Sequence, residues 1–252
     1  MFSNNSWDFH RQLLHNLKHL SVIKYFRVFD SIPSTHLYAR DNHAKLKHGT
    51  ALIALEQSRG VGQGKNFWIS PKGGLYLTMV LKPSGGFSRA FPFIAMVSLS
   101  IIECFTRENA NCVLKWPNDV YYENKKIGGV LASGLSTGSH TKTLILSAGV
   151  NLNASPTIES GPVKSAIAFR EITGKETSLL EFTTCILANF DYFYLEGDNE
   201  DLYRKYNSLL AFKDKDVDIN TGSSTILGKV LQVDKKGITV EIRGKKEIID
   251  FV

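Results

Sequence analysis

Cysteine is scarce: Cys104, Cys112 and Cys185 are the only three in 252 residues. They are scattered, odd in number, and form no C-x-x-C or Cys/His ligand spacing. That argues against a metal-binding cysteine set and predicts three reduced, buried thiols, as in a cytoplasmic protein. Long apolar runs are also missing. The best candidate, AFPFIAMVSLSIIECF, ends at the charged TREN and falls short of the roughly 20 residues that span a bilayer, so no membrane partner is expected. The N-terminal MFSNNSWDFHRQLLHNL is polar, which predicts no secretion signal. There is no G-x-G-x-x-G between strand and helix and no G-x-x-x-x-G-K-[ST], so a nucleotide would be held without the common phosphate cradles. Repeats and low-complexity tracts are absent too.

What is present describes a folded chain. It is 43% hydrophobic, 21% charged and 11% aromatic, with a net charge of +6. This supports a real core in one large domain or a large and a small one. The mild positive excess suits anionic small molecules or an acidic partner as well as nucleic acid.

Hydrophobic spacing predicts a short helix over 7–18, a strand in VIKYFRVFDSI, and a helix after Ser34, which is placed to cap it. GTALIALEQ reads as a buried strand, SRGVGQGKN as a mobile polar loop, and GGLYLTMVLKP as a strand ended by proline. A core helix is expected over 88–108. Two strands are expected around a turn at Glu123-Asn124, then a strand in KTLILSAGVNLN and a long helix over 178–210. Residues 212–252 alternate in short runs with KKG and RGKK turns and read as a small all-β barrel-like module. The expected fold class is therefore α+β, with a mostly antiparallel sheet in residues 1–211.

Three stretches carry chemistry. In EQSRGVGQGKNFW the glycines free backbone N–H groups to face an anion. Arg59 and Lys65 add charge, Gln57 and Gln63 add amides, and Trp68 adds an apolar anchor. Taken alone, it reads equally as a polar surface loop. In KWPNDVYYENKKIGGV, Pro117 stiffens the chain, and Asn118 and Asp119 offer oxygens to Mg²⁺ or to an amine. A strand–turn–strand return brings Lys126 back to the start of the motif, while Gly128-Gly129 allows close backbone approach. The bland alternative is a hairpin with solvated lysines. SAGVNLN suits a tight ligand wall or a plain strand end.

The order STH, EQSRGVGQGKNFW, KWPNDVYYENKKIGGV, AGVNLN and a β tail resembles biotin protein ligase (biotin–[acetyl-CoA-carboxylase] ligase), from about Ile23 onward. The Lys-Trp-Pro-Asn-Asp motif with its trailing Lys-x-Gly-Gly is the specific part. The resemblance implies a class II synthetase-like, lipoate-ligase-like mixed sheet with flanking helices, and an SH3-like C-terminal domain. It implies ATP and biotin as substrates, Mg²⁺, and a biotin carboxyl carrier domain as acceptor. Ser34, Thr35, His36 and Gly128 would border biotin. Gln57, Gly60, Gly62 and Gln63 would close over biotin and its adenylate. Lys126 would meet the biotin carboxylate and the α-phosphate, and with Asp119 carry the catalysis. Arg59, Trp68, Lys115, Asn118 and Asn151 would face the nucleotide, and Asn118 and Asp119 the metal.

The family loop usually reads Gly-Arg-Gly-x-x-Gly; here Val61 takes the first arginine position, leaving Arg59 and Lys65 as the nearby cations. The stretch before the first expected strand is too short for the DNA-binding winged helix of some members, so no DNA partner is expected. A sheet edge could admit the carrier or a second copy of the chain. Lipoate or octanoate ligases are the nearest alternative. They typically carry Arg-Arg-x-x-Gly-Gly-Gly, which this chain lacks, its Gly85-Gly86 pair lying elsewhere. A nucleic-acid binder using Lys235, Lys236, Arg243, Lys245 and Lys246 is a further alternative, weakened by interleaved acids and few aromatics.

Overall fold

Alternation along the central strands sets the architecture. A computed structural model describes residues 4–84, 89–137, 140–156, 165–220 and 225–249; the Gly85-Gly86 pair lies outside them. In chain order the elements are α1 (Asn4–Asn16), β1 (Tyr25–Phe29), α2 (Thr35–Asn42), β2 (Thr50–Ala54), β3 (Leu75–Leu81) and α3 (Phe91–Thr106). There follow β4 (Cys112–Lys115), β5 (Asp119–Tyr122), β6 (Lys125–Thr137), β7 (His140–Val150), α4 (Phe169–Thr173), α5 (Leu179–Glu196) and α6 (Glu200–Ser208). The last four are β8 (Asp216–Asn220), β9 (Thr225–Asp234), β10 (Gly237–Ile242) and β11 (Lys245–Ile249).

The first seven strands form one sheet in the order β1-β2-β3-β7-β6-β5-β4. Only β1 and β2 run parallel; every other neighbouring pair is antiparallel. In β3, Leu75, Leu77, Met79 and Leu81 face the main core, joined by Leu144, Leu146, Ala148 and Val150 of β7. This side packs on α3, whose residues are buried on nearly every side, and on α5 behind it. Each such side chain contributes roughly 1.5–3 kcal/mol by leaving water. The opposite side of the sheet carries a smaller cluster of Ala39, Leu52, Val80 and Ile145 under α2. Between α2 and β5 that side bears polar and glycine residues instead, and the site lies there.

The structure departs from the sequence reading at four places. The stretch 112–137 holds three strands, because Trp116–Asn118 is itself a reversal with a cis Trp116–Pro117 bond. The 178–210 helix is two, since Gly197 adopts φ +80° and Asn199 starts α6 by accepting from Leu202 N–H at 2.9 Å. The 60–68 loop is a small hairpin, closed by Gly62 N–H to Asn66 O (2.8 Å) and Trp68 N–H to Gly60 O (2.9 Å). The fourth concerns the thiols. Cys104 of α3 and Cys185 of α5 are joined as a disulfide and Cys112 alone is free, which corrects the expectation of three reduced thiols. Packing of α3 on α5 brings together two residues 81 positions apart, which spacing along the chain does not reveal.

Strands β8 to β11 form a second, antiparallel sheet in the order β11-β10-β9-β8, which fits the SH3-like module expected. Asn207 of α6 clamps it: the side-chain amide donates to Val233 O at 2.7 Å and accepts from Val233 N–H at 2.8 Å.

Candidate active site

One row of residues crosses five strands on the α2 side of the sheet. Tyr76 of β3 pairs with Gly149 of β7, Gly149 with Gly129 of β6, Gly129 with Asp119 of β5, and Asp119 with Lys115 of β4. Two adjacent glycines in mid-row leave a trough between the tyrosine and the charged pair. The indole of Trp68 lies in it: a Cβ at Gly149 would collide with that ring, and one at Gly129 would approach it to 3.3 Å. Trp68 Nε1 is buried without a hydrogen-bond partner among the described residues.

Lys126 reaches this trough because β6 is irregular. Residues 126 and 129 are an odd number apart and would point to opposite sides of a regular strand. The register shifts at Val120/Tyr121, so that Tyr121 opposes Lys126 while Val120 opposes Gly128. The extra residue, Ile127, turns into the core, and Lys126 comes over the floor beside Gly129. Lys126 Nζ is 2.6 Å from Asp119 Oδ1, with side chains 14% and 22% exposed. It also lies 5.3 Å from the Trp68 ring centre. The Asp119 charge and burial raise the nearby Tyr121 phenol, burial contributing more.

The motif's amides hold this geometry. Asn118 donates its side-chain N–H to Val130 O (2.6 Å), and its own carbonyl accepts from Val130 N–H (2.8 Å). Asn151 N–H bonds Ile127 O at 2.8 Å. The turn at Pro117 is fastened from outside the motif, where the buried Tyr206 hydroxyl donates to Pro117 O at 3.0 Å.

At the other end, Ser34 caps α2 by accepting from Leu37 N–H (3.4 Å). Gln57 Oε1 accepts from Thr35 N–H (2.8 Å) and from Thr35 Oγ1 (3.1 Å), while its amide nitrogen donates to Ser70 Oγ (3.0 Å). His36 contacts Ser147 and Ser133, and burial, with Arg40 adding to it, pushes its imidazole down to about 4.

These groups share one cavity of about 560 Å³. Of the expected residues, Ser34, Thr35, His36, Gln57, Gly62, Gln63, Trp68, Lys115, Asn118, Asp119, Lys126 and Asn151 line it. Gly60, Arg59 and Gly128 do not. Gly60 is buried against Trp68 and Ser70, Arg59 is exposed, and Gly128 is packed against β7 and Val120. Of the two cations left near Val61, Lys65 reaches the lining and Arg59 does not. Sequence reading marked the stretches that hold Ser147, Gly149, Asn66 and Phe67 without naming these four in the lining, and it missed Tyr206 behind it. Ser147 and Gly149 both had a local signal, the small-residue run SAGV. Phe67 is 79% exposed at the mouth. Among the described residues no three His, Cys, Asp or Glu cluster to hold a metal. Asp119 is the one carboxylate among the described residues at this end of the cavity, and its Oδ1 is paired with Lys126; one or two carboxylates are what Mg²⁺ would need here if substrate phosphates supplied the rest. No helix among the described residues is long and apolar enough to cross a membrane.

Residues 28–151 match the biotin/lipoate A/B protein ligase family. The chain is 28% identical over 215 residues to the bifunctional ligase/repressor BirA of Escherichia coli, covering 83% of this chain and 67% of that protein. It is 30% identical over 108 residues to the biotin–[acetyl-CoA-carboxylase] ligase of Paracoccus denitrificans, covering 42% of this chain and 45% of that one. Among solved structures, biotin protein ligase from Aquifex aeolicus in complex with biotin and ATP superposes with a TM-score of 0.79 at 27% identity, covering 90% of this chain and 97% of that one.

Proposed function

Residues 28–151 belong to the biotin/lipoate A/B protein ligase family, and from that premise we propose that the protein activates biotin as biotinyl-5′-AMP and transfers it to a lysine of a biotin carboxyl carrier domain. The observation that carries the reading is the single cavity with two unlike ends. A polar end at Thr35, Gln57 and Ser147 is joined over a glycine floor to a cationic end at Lys126 and Lys115. Biotin has the same two ends, a cyclic urea and a carboxylate. An octanoyl chain carries no polar head and would make no hydrogen bond to the first end.

A carboxylate resists attack by an amine because oxide is a poor leaving group. Joining it to AMP makes a mixed anhydride. The biotin carboxylate oxygen bonds to the α-phosphorus, and pyrophosphate leaves with the electrons of the broken P–O bond. Lys126 is placed to offset charge gathering on the phosphoryl oxygens. Trp68 and the hairpin over 60–68 shield the anhydride from water. The acceptor amine then attacks the acyl carbon and AMP departs. That amine must be neutral, and Asp119 is our choice to orient it and take its proton. Asn118 and Asp119 would hold Mg²⁺, which would supply further neutralisation of phosphate charge.

In this reading residues 1–211 form the catalytic unit and 212–252 a separate SH3-like module. We assign the protein to the cytoplasm, where ATP is supplied, and an edge of the main sheet is where a carrier or a second copy of the chain would dock.

Biotin-dependent ATP–pyrophosphate exchange with Mg²⁺ tests the reading, with lipoate and octanoate run in parallel. Exchange with biotin supports it. Exchange with lipoate or octanoate alone would move the protein to the sister activity, and no exchange with any acid would refute ligase chemistry.

A further inference from the structure

A line of polar side chains runs along the buried wall of the cavity. Ser133 Oγ is 3.0 Å from His36 Nε2, and His36 Nδ1 is 2.8 Å from Ser147 Oγ. Ser147 Oγ is 2.7 Å from Thr78 Oγ1, Thr78 Oγ1 is 2.8 Å from Thr35 Oγ1, and Thr35 Oγ1 is 3.1 Å from Gln57 Oε1. Beyond Gln57, its amide nitrogen meets Ser70 Oγ at 3.0 Å, and Ser70 donates to Trp68 O at 2.8 Å.

Each hydroxyl has one proton to give, so the line must have a direction. One point is pinned. Gln57 Oε1 faces the backbone N–H of Thr35 at 2.8 Å and is therefore the carbonyl oxygen, which cannot donate. Thr35 must give it the hydroxyl proton. Thr35 then has none for Thr78, so Thr78 donates to Thr35. By the same count Ser147 donates to Thr78, and Ser147 receives from His36. The proton of His36 is therefore on Nδ1. Its Nε2 is bare and accepts from Ser133.

We infer that His36 is a positioning residue, held as the neutral Nδ1–H tautomer, which closes the line that Gln57 directs: by donating to Ser147 it keeps the Ser147 proton on Thr78 and away from the ligand. Both ring nitrogens are engaged by serines, so His36 acts through the wall. The consequence is a defined polarity. Thr35 and Ser147 turn lone pairs to the cavity, and Gln57 retains one free amide N–H. Acceptors beside a lone donor fit a head group with N–H donors flanking a carbonyl, which is a cyclic urea. The depressed imidazole described above keeps the ring neutral at ordinary pH. The ligand half of this inference rests on the biotin reading; the tautomer does not.

Nitrogen-15 NMR of histidine-labelled protein without ligand reads the tautomer directly. The expected result is a His36 ring protonated at Nδ1 and bare at Nε2, unchanged between about pH 5.5 and 8. A proton on Nε2 would overturn the inference even if biotin binds well, and would leave the ligase reading standing. Binding measurements test the consequence. Ser147→Ala and His36→Phe should each weaken biotin at least about tenfold while leaving ATP affinity unchanged. His36→Asn, whose amide can still donate toward Ser147, should stay within about threefold of wild type. Biotin methylated on its urea nitrogens should bind wild type at least about tenfold more weakly than biotin, with a smaller penalty in Ser147→Ala. Equal biotin affinity in wild type and Ser147→Ala would overturn the positioning role. A wild-type protein that binds no biotin would overturn the ligand half and the biotin reading together, while the NMR result still decides the tautomer.

Discussion

Replacing Lys126 with methionine keeps the aliphatic stem and removes the charge. Lys126 Nζ stands over the glycine floor, 2.6 Å from Asp119 Oδ1, where a phosphoryl oxygen could approach it. A unit charge about 4 Å from an anionic oxygen is worth about 4 kcal/mol at an effective dielectric of roughly 20. Asp119 already draws on that charge, so the net contribution is smaller, between about 1.4 and 4 kcal/mol. The variant should therefore lose between about tenfold and a thousandfold in adenylation rate, measured as biotin-dependent ATP–pyrophosphate exchange. Asp119→Asn frees Lys126 rather than removing it. It should lose less exchange, and more in transfer of biotin from preformed biotinyl-AMP to the carrier lysine. Deleting the lysine also strands a partly buried carboxylate at a cost of about 1–3 kcal/mol, so thermal unfolding of each variant separates lost chemistry from lost fold. A folded Lys126→Met protein with exchange within about twofold of wild type would refute the electrostatic role.

Three other outcomes are expected. Gly149→Val should lift the Trp68 indole off its floor, shifting tryptophan emission to the red and weakening biotin at least about tenfold; unchanged emission would contradict the packing. The imidazole of His36 is pushed down to about 4 from 6.5 by burial and then by Arg40. Between those values the unfolded chain binds a proton that the folded protein does not, so His36 removes stability as pH falls, by on the order of 3 kcal/mol in all. Urea unfolding across that window should show a shallower loss in His36→Asn than in wild type, and equal slopes would refute the assignment. Thiol counting on oxidised, denatured protein should find Cys112 alone, and all three cysteines after reduction; three thiols without reductant would rule out the Cys104–Cys185 bond.

Much of the fold was legible because its periods are local. β3 reads as a strand from its own seven residues, and α3 as a buried helix from an apolar run opened by Phe91-Pro92. Ser34 was recognisable as a cap because a cap needs only the residues just after it. The errors have one source. The reversal at Trp116–Asn118, the break at Gly197 and the hairpin over 60–68 depend on backbone partners such as Tyr206, Asn199 and Asn66, and apolar patterning does not report those. The disulfide is the extreme case, since two helices must pack before its cysteines can meet.

The motifs themselves named Lys126, Asp119, Asn118, Gln57 and Thr35, because a charge, an amide or a hydroxyl is written in the residue type. Sequence by itself thus determined which functional groups the protein owns and the order in which the chain carries them. Tertiary structure alone decided which of them face one another. The bulge in β6 turned Lys126 toward Asp119, and strand register aligned Gly129 with Gly149 beneath Trp68. The meeting of α2 with β7 joined His36 to Ser147, 111 positions away. Side-chain facing depends on register, and register is set by contacts between segments far apart in the chain.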